Sequence, residues 1–282
     1  MYECFDVEIT DKVGHIKMNR PEKANSMIAE FWNELPMIVD EMSASGSVRA
    51  VVLSSEGKHF CSGMDLSVFT ASGSDVAPSG GDGKHPSRRG ERFRSTALKL
   101  QDSFNALERS RMPILCAIQG ACVGGGIDMV SAADLRYADA TAFFSIAEIN
   151  IGMTADVGTL QRMPRLVPEG IVRELAYTGR KWSVDEALAA GFVNKVYDDH
   201  ASMIEGVHEI AAEIASKSPM AIWGTKKSMQ YSQEHTIADG LEYIANWNAS
   251  MFDTDDMAEA FTAKLEQRAA NFPDLYPQSR GL

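Results

Sequence analysis

The sequence predicts an α/β core followed by a helical C-terminal region. Two observations lead to this fold class. Runs of apolar or alternating residues that are typical of strands are separated by single segments with helical spacing, and the later part of the chain has mostly helical spacing. Strands alternating with helices form α/β layers, whereas helices that follow alone form an appended region. We therefore divide the chain into a core over residues 1–200 and a helical region over residues 201–282.

Length and composition describe a globular protein with an acidic surface. The chain has 282 residues, of which 45% are hydrophobic and 23% charged, and these fractions exclude disordered, collagen-like and coiled-coil proteins. With 27 basic and 39 acidic residues the net charge is −12. Such a surface repels a phosphate backbone, so nucleic acid is not an expected partner. A small anionic ligand stays compatible, because helix N-termini and a few cations can outweigh a distant, screened charge.

The strand predictions follow the chain in order. Residues 5–9 and 15–18 alternate apolar and polar side chains and predict a β-hairpin. Residues 114–118 form a continuous apolar run that is typical of a strand buried on both faces. Further strands are expected at residues 49–54, 135–138, 142–145 and 193–197.

The first helix predictions rest on capping and breaking residues. Asn25 or Ser26 is expected to cap a helix that runs to about Met42 and is kinked at Pro36. A second helical pattern covers residues 93–107. Between them, residues 70–92 are polar and rich in Gly and Pro, which predicts a mobile loop without regular structure.

Two Gly-rich turns are candidate binding elements, because each follows a buried strand. One is Cys61-Ser62-Gly63-Met64-Asp65-Leu66, and the other is Gly124-Gly125-Gly126, which enters a helix directly. Glycine lets the backbone approach a ligand closely, and the free N–H groups of a first helical turn favour negative charge. The two turns could supply one N–H each to an oxyanion. Close packing of strand against helix is the structural alternative.

Three carboxylates are candidates for proton transfer. Asp128, Glu148 and Asp156 all have apolar neighbours. Such surroundings raise carboxyl pKa values toward neutrality, where one group can both accept and donate a proton. The alternative is a set of helix caps, since Asp156 precedes a helical segment at residues 158–166 and would cap it well.

Several function classes lack their motifs. The four cysteines form no C-x-x-C pair, and no two histidines are spaced for a zinc-binding helix, so we expect reduced thiols and no metal. No apolar stretch approaches the ~20 residues that span a bilayer, so no membrane partner is expected. The N-terminus lacks the pattern of a signal or transit peptide, and a cytoplasmic protein is therefore expected.

The two Gly-rich turns carry a family resemblance. The segments Gly57-Lys58-His59-Phe60-Cys61-Ser62-Gly63-Met64-Asp65-Leu66 and Gly120-Ala121-Cys122-Val123-Gly124-Gly125-Gly126 resemble the G-x-x-F-x-x-G-x-D-L and G-x-x-x-G-G-G signatures of the enoyl-CoA hydratase/isomerase (crotonase) superfamily. The resemblance extends over residues 19–272. It implies a crotonase-like spiral of repeated ββα units with a helical C-terminal region, an acyl-CoA thioester substrate, and a homotrimer or dimer of trimers. It implies no separate cofactor, because coenzyme A is part of the substrate.

Details of the carboxylate segments resemble one branch of the superfamily. Hydratases usually carry Glu at the positions of Asp128 and Glu148, and here the first is Asp. Residues 127–137 and 155–162 resemble the dienoyl-CoA isomerase branch, which implies conversion of 3,5-dienoyl-CoA to 2,4-dienoyl-CoA in the β-oxidation of unsaturated fatty acids. An enoyl-CoA hydratase is the alternative. An inactive acyl-CoA or RNA binder is a third reading, which the acidic composition and the three carboxylates disfavour.

The resemblance also implies roles for individual residues. Glu148 would act as base at C2 and Asp156 as acid at C6, with Asp128 as a third polar group that holds their protonation states. The N–H groups of Met64 and Gly125 would form the oxyanion hole. The other implied substrate contacts are Ser62, Gly63, Asp65 and Leu66 in the first turn, and Phe261 and Lys264, which would reach the adenosine end of a neighbouring subunit's CoA.

Overall fold

Nine strands and ten α-helices lie within residues 2–65, 67–68 and 85–279, which the computed structural model describes. The strands are β1 (Phe5–Thr10), β2 (Val13–Met18), β3 (Ala50–Ser55), β4 (Ile114–Ile118), β5 (Ala121–Val123), β6 (Leu135–Asp139), β7 (Phe143–Ser145), β8 (Trp182–Ser183) and β9 (Lys195–Tyr197). The helices are α1 (Ala29–Ser45), α2 (Pro86–Arg109), α3 (Gly125–Ser131), α4 (Thr159–Arg162), α5 (Glu169–Thr178), α6 (Val184–Ala189), α7 (His200–Ala215), α8 (Pro219–Glu234), α9 (Ile237–Met251) and α10 (Thr254–Leu265). Short 3-10 helices lie at Pro21–Lys23, Glu148–Ile151 and Met163–Arg165.

The strands form two sheets. The larger has the order β1-β2-β3-β4-β6-β9, with β1 and β2 antiparallel and the other neighbours parallel. The smaller has the order β5-β7-β8. The predicted fold class, an α/β core with a helical C-terminal region, is confirmed. The predicted strands agree with the structure within two residues, and the very short β5 and β8 have no pattern that could predict them.

Both faces of the larger sheet are buried at its central strands β3 and β4, as is usual for parallel strands. On one face, Val51 and Leu53 of β3 belong to the main apolar core, together with α1 and the smaller sheet. On the other face, Met203 and Val207 of α7 pack against Val52. Successive side chains of β3 therefore belong to two separate apolar clusters.

The start of α1 differs from the prediction. The helix begins at Ala29, after Ile28, and no side chain caps it. The predicted cap at Asn25 or Ser26 is wrong, because both side chains form hydrogen bonds to residues far along the chain instead. The helix continues through Pro36 to Ser45.

Helix α2 begins seven residues before the predicted start. It starts at Pro86, whose fixed φ suits the first turn of a helix, and it continues to Arg109. The predicted loop over residues 70–92 is therefore wrong for residues 86–92. Residues 70–84 lie outside the described part of the chain.

A buried arginine joins β3 to the C-terminal segment. Arg49 lies just before β3, and its guanidinium donates hydrogen bonds to the carbonyl oxygens of Ala215 at 3.2 Å and Phe272 at 2.6 Å. It also pairs with Asp274 at 2.8 Å. The start of β3 is thus held by Ala215, Phe272 and Asp274.

A buried lysine attaches α8 to the core. The Lys226 side chain is only 3% exposed, and its ammonium pairs with Asp134 at 2.8 Å. It also donates hydrogen bonds to the carbonyl oxygens of Leu107 and Met112 at 2.8 and 3.0 Å. Burial lowers the pKa of Lys226, an effect that the Asp134 carboxylate opposes. The surrounding oxygens thus offset part of the cost of burying this cation.

No helix among the described residues is long and apolar enough to cross a membrane.

Replacement of Lys226 tests this attachment. Lys226→Met leaves the Asp134 carboxylate and two carbonyl oxygens without their cation, so the free energy of unfolding should fall by about 3 kcal/mol. Urea unfolding at fixed protein concentration measures the change. Lys217→Met is the matched control, because Lys217 forms an exposed pair with Glu213 at 3.6 Å, which is worth roughly 0–1 kcal/mol. Equal stability of the two variants would contradict the prediction.

Candidate active site

The site is built where β5 and β7 end side by side. After β5 the chain turns at Gly124, which has φ +54°, and enters α3 at Gly125. The N–H of Gly124 donates a hydrogen bond to the carbonyl oxygen of Ser145 at 3.0 Å, at the end of β7. Glu148 follows β7 and opens a 3-10 helix. Because the two strands are parallel neighbours, Glu148 and the first turn of α3 emerge at the same edge.

The glycines allow three backbone segments to approach closely. A Cβ atom at Gly124 would lie 3.2 Å from Glu148 Oε1 and 3.9 Å from the Cα of Gly63. Gly63 has φ +90°, and a Cβ there would lie 3.6 Å from the nitrogen of Gly125. The two Gly-rich turns that the sequence indicates therefore lie against each other and beside the Glu148 carboxyl group.

Two N–H groups in these turns have no described acceptor. Within residues 2–65, 67–68 and 85–279, no group accepts a hydrogen bond from the N–H of Met64 or of Gly125. The backbone groups on either side of Met64 do form hydrogen bonds. The N–H of Met27 donates to the carbonyl oxygen of Gly63 at 2.9 Å, and the N–H of Asp65 donates to the carbonyl oxygen of Met27 at 3.0 Å. The pair of N–H groups is thus available to an oxyanion.

Asp128 lies in the first turn of α3 and is 1% exposed. Its Oδ1 accepts a hydrogen bond of 2.6 Å from the N–H of Thr159. Its Oδ2 is buried, and no described residue contacts it with a hydrogen bond. Burial raises the pKa of Asp128 to about 6, although the Thr159 hydrogen bonds favour the ionised form.

Glu148 is partly buried, and its Oε2 likewise has no hydrogen-bond partner among the described residues. Burial raises its pKa to about 7, and the negative charge of Asp128 acts in the same direction. A carboxyl group in this state is suited to take a proton from carbon near neutral pH.

Asp156 completes a group of three carboxyls. Burial raises its pKa, and its charge in turn raises the pKa of both Asp128 and Glu148. Gln101 of α2 donates a hydrogen bond of 2.8 Å to the Asp156 carbonyl oxygen and so holds this segment. The alternative role of Asp156 as a helix cap is wrong, because α4 begins after Gly158 and its first N–H is taken by Asp128.

Of the remaining predicted site residues, some lie in the first Gly-rich turn and others lie on α10. The N–H of Ser62 donates to the carbonyl oxygen of Ala24 at 3.0 Å. Asp65 accepts hydrogen bonds from Ser67 and Ser26, which lower its pKa to about 2. Leu66 lies outside the described residues, and Phe261 and Lys264 are exposed on α10.

Sequence reasoning misses three residues that support the site. Thr159 binds Asp128, Gln101 holds the Asp156 segment, and Asn25 accepts a hydrogen bond from Cys61 of the first Gly-rich turn. Each forms a hydrogen bond across more than 30 positions, and no local pattern marks such a contact.

The arrangement is suited to removal of a proton next to a carbonyl. The N–H groups of Met64 and Gly125, which have no acceptor among the described residues, can stabilise the oxyanion that forms. Carboxyl groups with pKa values near neutrality can move the proton. No group of three described His, Cys, Asp or Glu residues could hold a metal ion.

Comparison with known proteins agrees with this geometry. The family model for enoyl-CoA hydratase/isomerase matches residues 8–275. The chain is 40% identical over 269 residues to the human mitochondrial Delta(3,5)-Delta(2,4)-dienoyl-CoA isomerase, covering 95% of this chain and 80% of that protein. It is 38% identical to the peroxisomal enzyme of the same name from Arabidopsis thaliana, covering 93% of each. The crystal structure of enoyl-CoA hydratase from Bacillus anthracis aligns with a TM-score of 0.83 at 28% identity, covering 98% of this chain and 99% of that one.

These relatives correct one expectation. The prediction of a cytoplasmic protein is wrong, because the human and Arabidopsis relatives are named as mitochondrial and peroxisomal enzymes. The match of the family model over nearly the whole chain, the shared fold and the two Gly-rich turns beside the carboxyls lead to one conclusion. The chain belongs to the enoyl-CoA hydratase/isomerase family.

Proposed function

We propose that the protein isomerises 3,5-dienoyl-CoA to 2,4-dienoyl-CoA in the β-oxidation of unsaturated fatty acids. The observation that carries the proposal is the group of three carboxyls with raised pKa values beside two backbone N–H groups that have no acceptor in the described part of the chain. Relatives of 38–40% identity bear the name of this activity. The reaction moves a proton without oxidation or hydrolysis, so it needs no cofactor other than the CoA of the substrate.

The first step is loss of a proton from C2. The thioester oxygen accepts hydrogen bonds from the N–H groups of Met64 and Gly125 while the Glu148 carboxylate takes the proton. The resulting trienolate is stabilised by about 3 kcal/mol for each donor that is fixed in a dry site. Ser62, Gly63, Asp65 and Leu66 would line the thioester end of the substrate.

The second step returns a proton to C6. The electrons of the trienolate spread along the conjugated chain to C6, and the Asp156 carboxyl group protonates C6 to give the 2,4-diene. One proton is lost at C2 and one is gained at C6, so the substrate and product have the same composition. Glu148 ends protonated and Asp156 ionised, and transfer of this proton between them resets the enzyme.

Asp128 sets the protonation state of the pair. Its charge raises the pKa of Glu148, which makes that carboxylate a stronger base. The hydrogen bonds from Thr159 favour the ionised form of Asp128, against the effect of burial. Buried carboxyls at close range share their titration, so the three groups act together.

We also propose that three chains, or two sets of three, assemble through the helical region. Large apolar side chains are exposed on its helices, among them Ile237 at 84%, Leu241 at 64% and Leu265 at 85%. Exposed apolar side chains concentrated in one region are typical of a subunit interface. In this assembly Phe261 and Lys264 would reach the adenosine end of a neighbouring chain's CoA.

Enoyl-CoA hydratase is the alternative function, because the Short-chain-enoyl-CoA hydratase of Clostridium acetobutylicum is 28% identical over 263 residues. That reaction would use Asp128 and Glu148 to position one water. It gives no role to Asp156, which makes isomerisation the better match to the site.

Substitution of two carboxyls tests the proposed reaction. Glu148→Gln and Asp156→Asn keep the shape of each side chain but remove proton transfer, so each should lower turnover of 3,5-dienoyl-CoA by at least about a hundredfold. The ultraviolet absorbance of the conjugated 2,4-dienoyl thioester measures the product. Circular dichroism and titration with CoA should be unchanged.

Two results would contradict this assignment. One is substantial turnover in both variants. The other is formation of 3-hydroxyacyl-CoA from 2-enoyl-CoA by the wild-type protein without dienoyl isomerisation, which would select the hydratase alternative.

The pH dependence tests the coupling of Asp128 to Glu148. The base must be ionised, so kcat/KM should rise with pH through the Glu148 pKa of about 7. Asp128→Asn removes a negative charge that raises this pKa, and the acid limb should therefore move to lower pH. Asp11→Asn, in the turn between β1 and β2, is the matched control and should leave the profile unchanged. An unmoved limb in Asp128→Asn would show that the two groups titrate independently.

Sedimentation velocity tests the assembly. The wild-type protein should sediment with the mass of three or six chains. Ile237→Asp with Leu241→Asp should shift it to smaller species, because burial of a charge at an apolar interface is strongly unfavourable. Ile9→Asp, at an exposed apolar position of β1, is the control. A wild-type mass of one chain would exclude the proposed assembly.

A further inference from the structure

The N–H of Met64 owes its position to a neighbouring segment. Residues 24–27 run alongside the first Gly-rich turn, and Ser62 donates a hydrogen bond to the carbonyl oxygen of Ala24 at 3.0 Å. Met27 donates to Gly63 at 2.9 Å, and Asp65 donates to Met27 at 3.0 Å. Met64 lies between these last two bonds. Any shift of residues 24–27 would therefore move its N–H.

The Asn25 side chain ties this segment to the residues that lead into the first Gly-rich turn. It is buried, with 2% of its surface exposed. Its Nδ2 donates hydrogen bonds to the carbonyl oxygens of Glu56 at 2.9 Å and His59 at 2.8 Å. Its Oδ1 accepts a hydrogen bond of 3.0 Å from the N–H of Arg20. Both amide hydrogens and the amide oxygen thus have a backbone partner.

The backbone of Asn25 makes a further contact with the same turn. Its carbonyl oxygen accepts a hydrogen bond from the Cys61 thiol at 3.2 Å, and the Cys61 sulfur accepts one from the N–H of Gly63 at 3.4 Å. The chain of contacts ends one residue before Met64. Asn25 also has φ +52°, in the left-handed region that Asn tolerates better than most residues with a side chain.

Few residues could satisfy these requirements together. Glycine would accept the backbone conformation but would lose all three side-chain bonds. Aspartate would keep the shape and the bond from Arg20, but it would place a second oxygen against the carbonyl groups of Glu56 and His59. Alanine would be strained and would lose the bonds as well.

We propose that Asn25 is a positioning residue for the oxyanion hole: it holds the first Gly-rich turn so that the N–H of Met64 faces the thioester oxygen of the substrate. The proposal deepens the function proposed above and rests on it. Preorganised donors stabilise a developing charge only when they are already aimed at it, and a displacement of about 1 Å can cost a hundredfold in rate.

Kinetics of two variants provide the first test. Asn25→Gly and Asn25→Asp should lower kcat for 3,5-dienoyl-CoA by about tenfold to a hundredfold, with KM changed less than about threefold. The loss belongs in kcat because the missing interaction forms mainly with the developing oxyanion. Asn33→Asp makes the same chemical change at an exposed position of α1, where the amide bonds only Ala29, and should leave both constants unchanged.

A spectroscopic measurement separates positioning from general loss of structure. A saturated acyl-CoA with a 13C-labelled carbonyl binds without reacting, and infrared difference spectra report how strongly the bound thioester is polarised. The wild-type protein and Asn33→Asp should shift the carbonyl band to lower frequency. Asn25→Gly and Asn25→Asp should shift it less at full occupancy, as established by calorimetric titration.

The outcomes are distinct for the two proposals. A wild-type carbonyl shift in both Asn25 variants, with kcat reduced only in proportion to the folded fraction, would overturn the positioning role. No shift in the wild-type protein would overturn it too. If the wild-type protein polarises the thioester but does not isomerise dienoyl-CoA, the proposed reaction fails, and the band positions of the Asn25 variants still decide the role of this residue.

Discussion

The incomplete solvation of buried carboxyls is the constraint on which the site depends. Asp128 and Glu148 each keep one buried oxygen without a partner among the described residues, and burial brings their pKa values to about 6 and 7. A fully hydrogen-bonded carboxylate would stay ionised and would be a weak base. The surrounding structure offsets the cost of this state, because the ends of β5 and β7 and the close approach of the glycine turns fix the positions of the groups.

Local patterns predict much of the fold. Strands β1, β2 and β4 have side-chain alternation or apolar runs that are visible in the sequence. The beginnings of α1 and α2 are predicted incorrectly for different reasons. Asn25 is a residue type that often caps helices, but its side chain forms hydrogen bonds to the distant carbonyl groups of Glu56 and His59 instead. The first turns of α2 are rich in charged residues and lack the apolar face that would indicate a helix.

The candidate site is likewise predicted only in part from the sequence. The residue types and their apolar neighbours indicate Asp128, Glu148 and Asp156, and the glycines indicate where backbone could approach a ligand. The sequence does not reveal which residues form hydrogen bonds to these carboxyls and glycine turns. Asp128 and Thr159 are 31 positions apart, and the bond from Asn25 to His59 spans 34. Such pairs are defined by sheet topology, which local periodicity does not encode.

The contacts of Arg49 have a consequence for the order of folding. Its guanidinium donates hydrogen bonds to the carbonyl oxygens of Ala215 and Phe272, which lie 166 and 223 positions further along the chain. Bringing such distant segments together costs loop-closure entropy before the contacts form. Until both segments have docked, this cation lacks its native acceptors, and burying it would be unfavourable. We therefore expect the corner at the start of β3 to close later in folding than the local hairpin of β1 and β2.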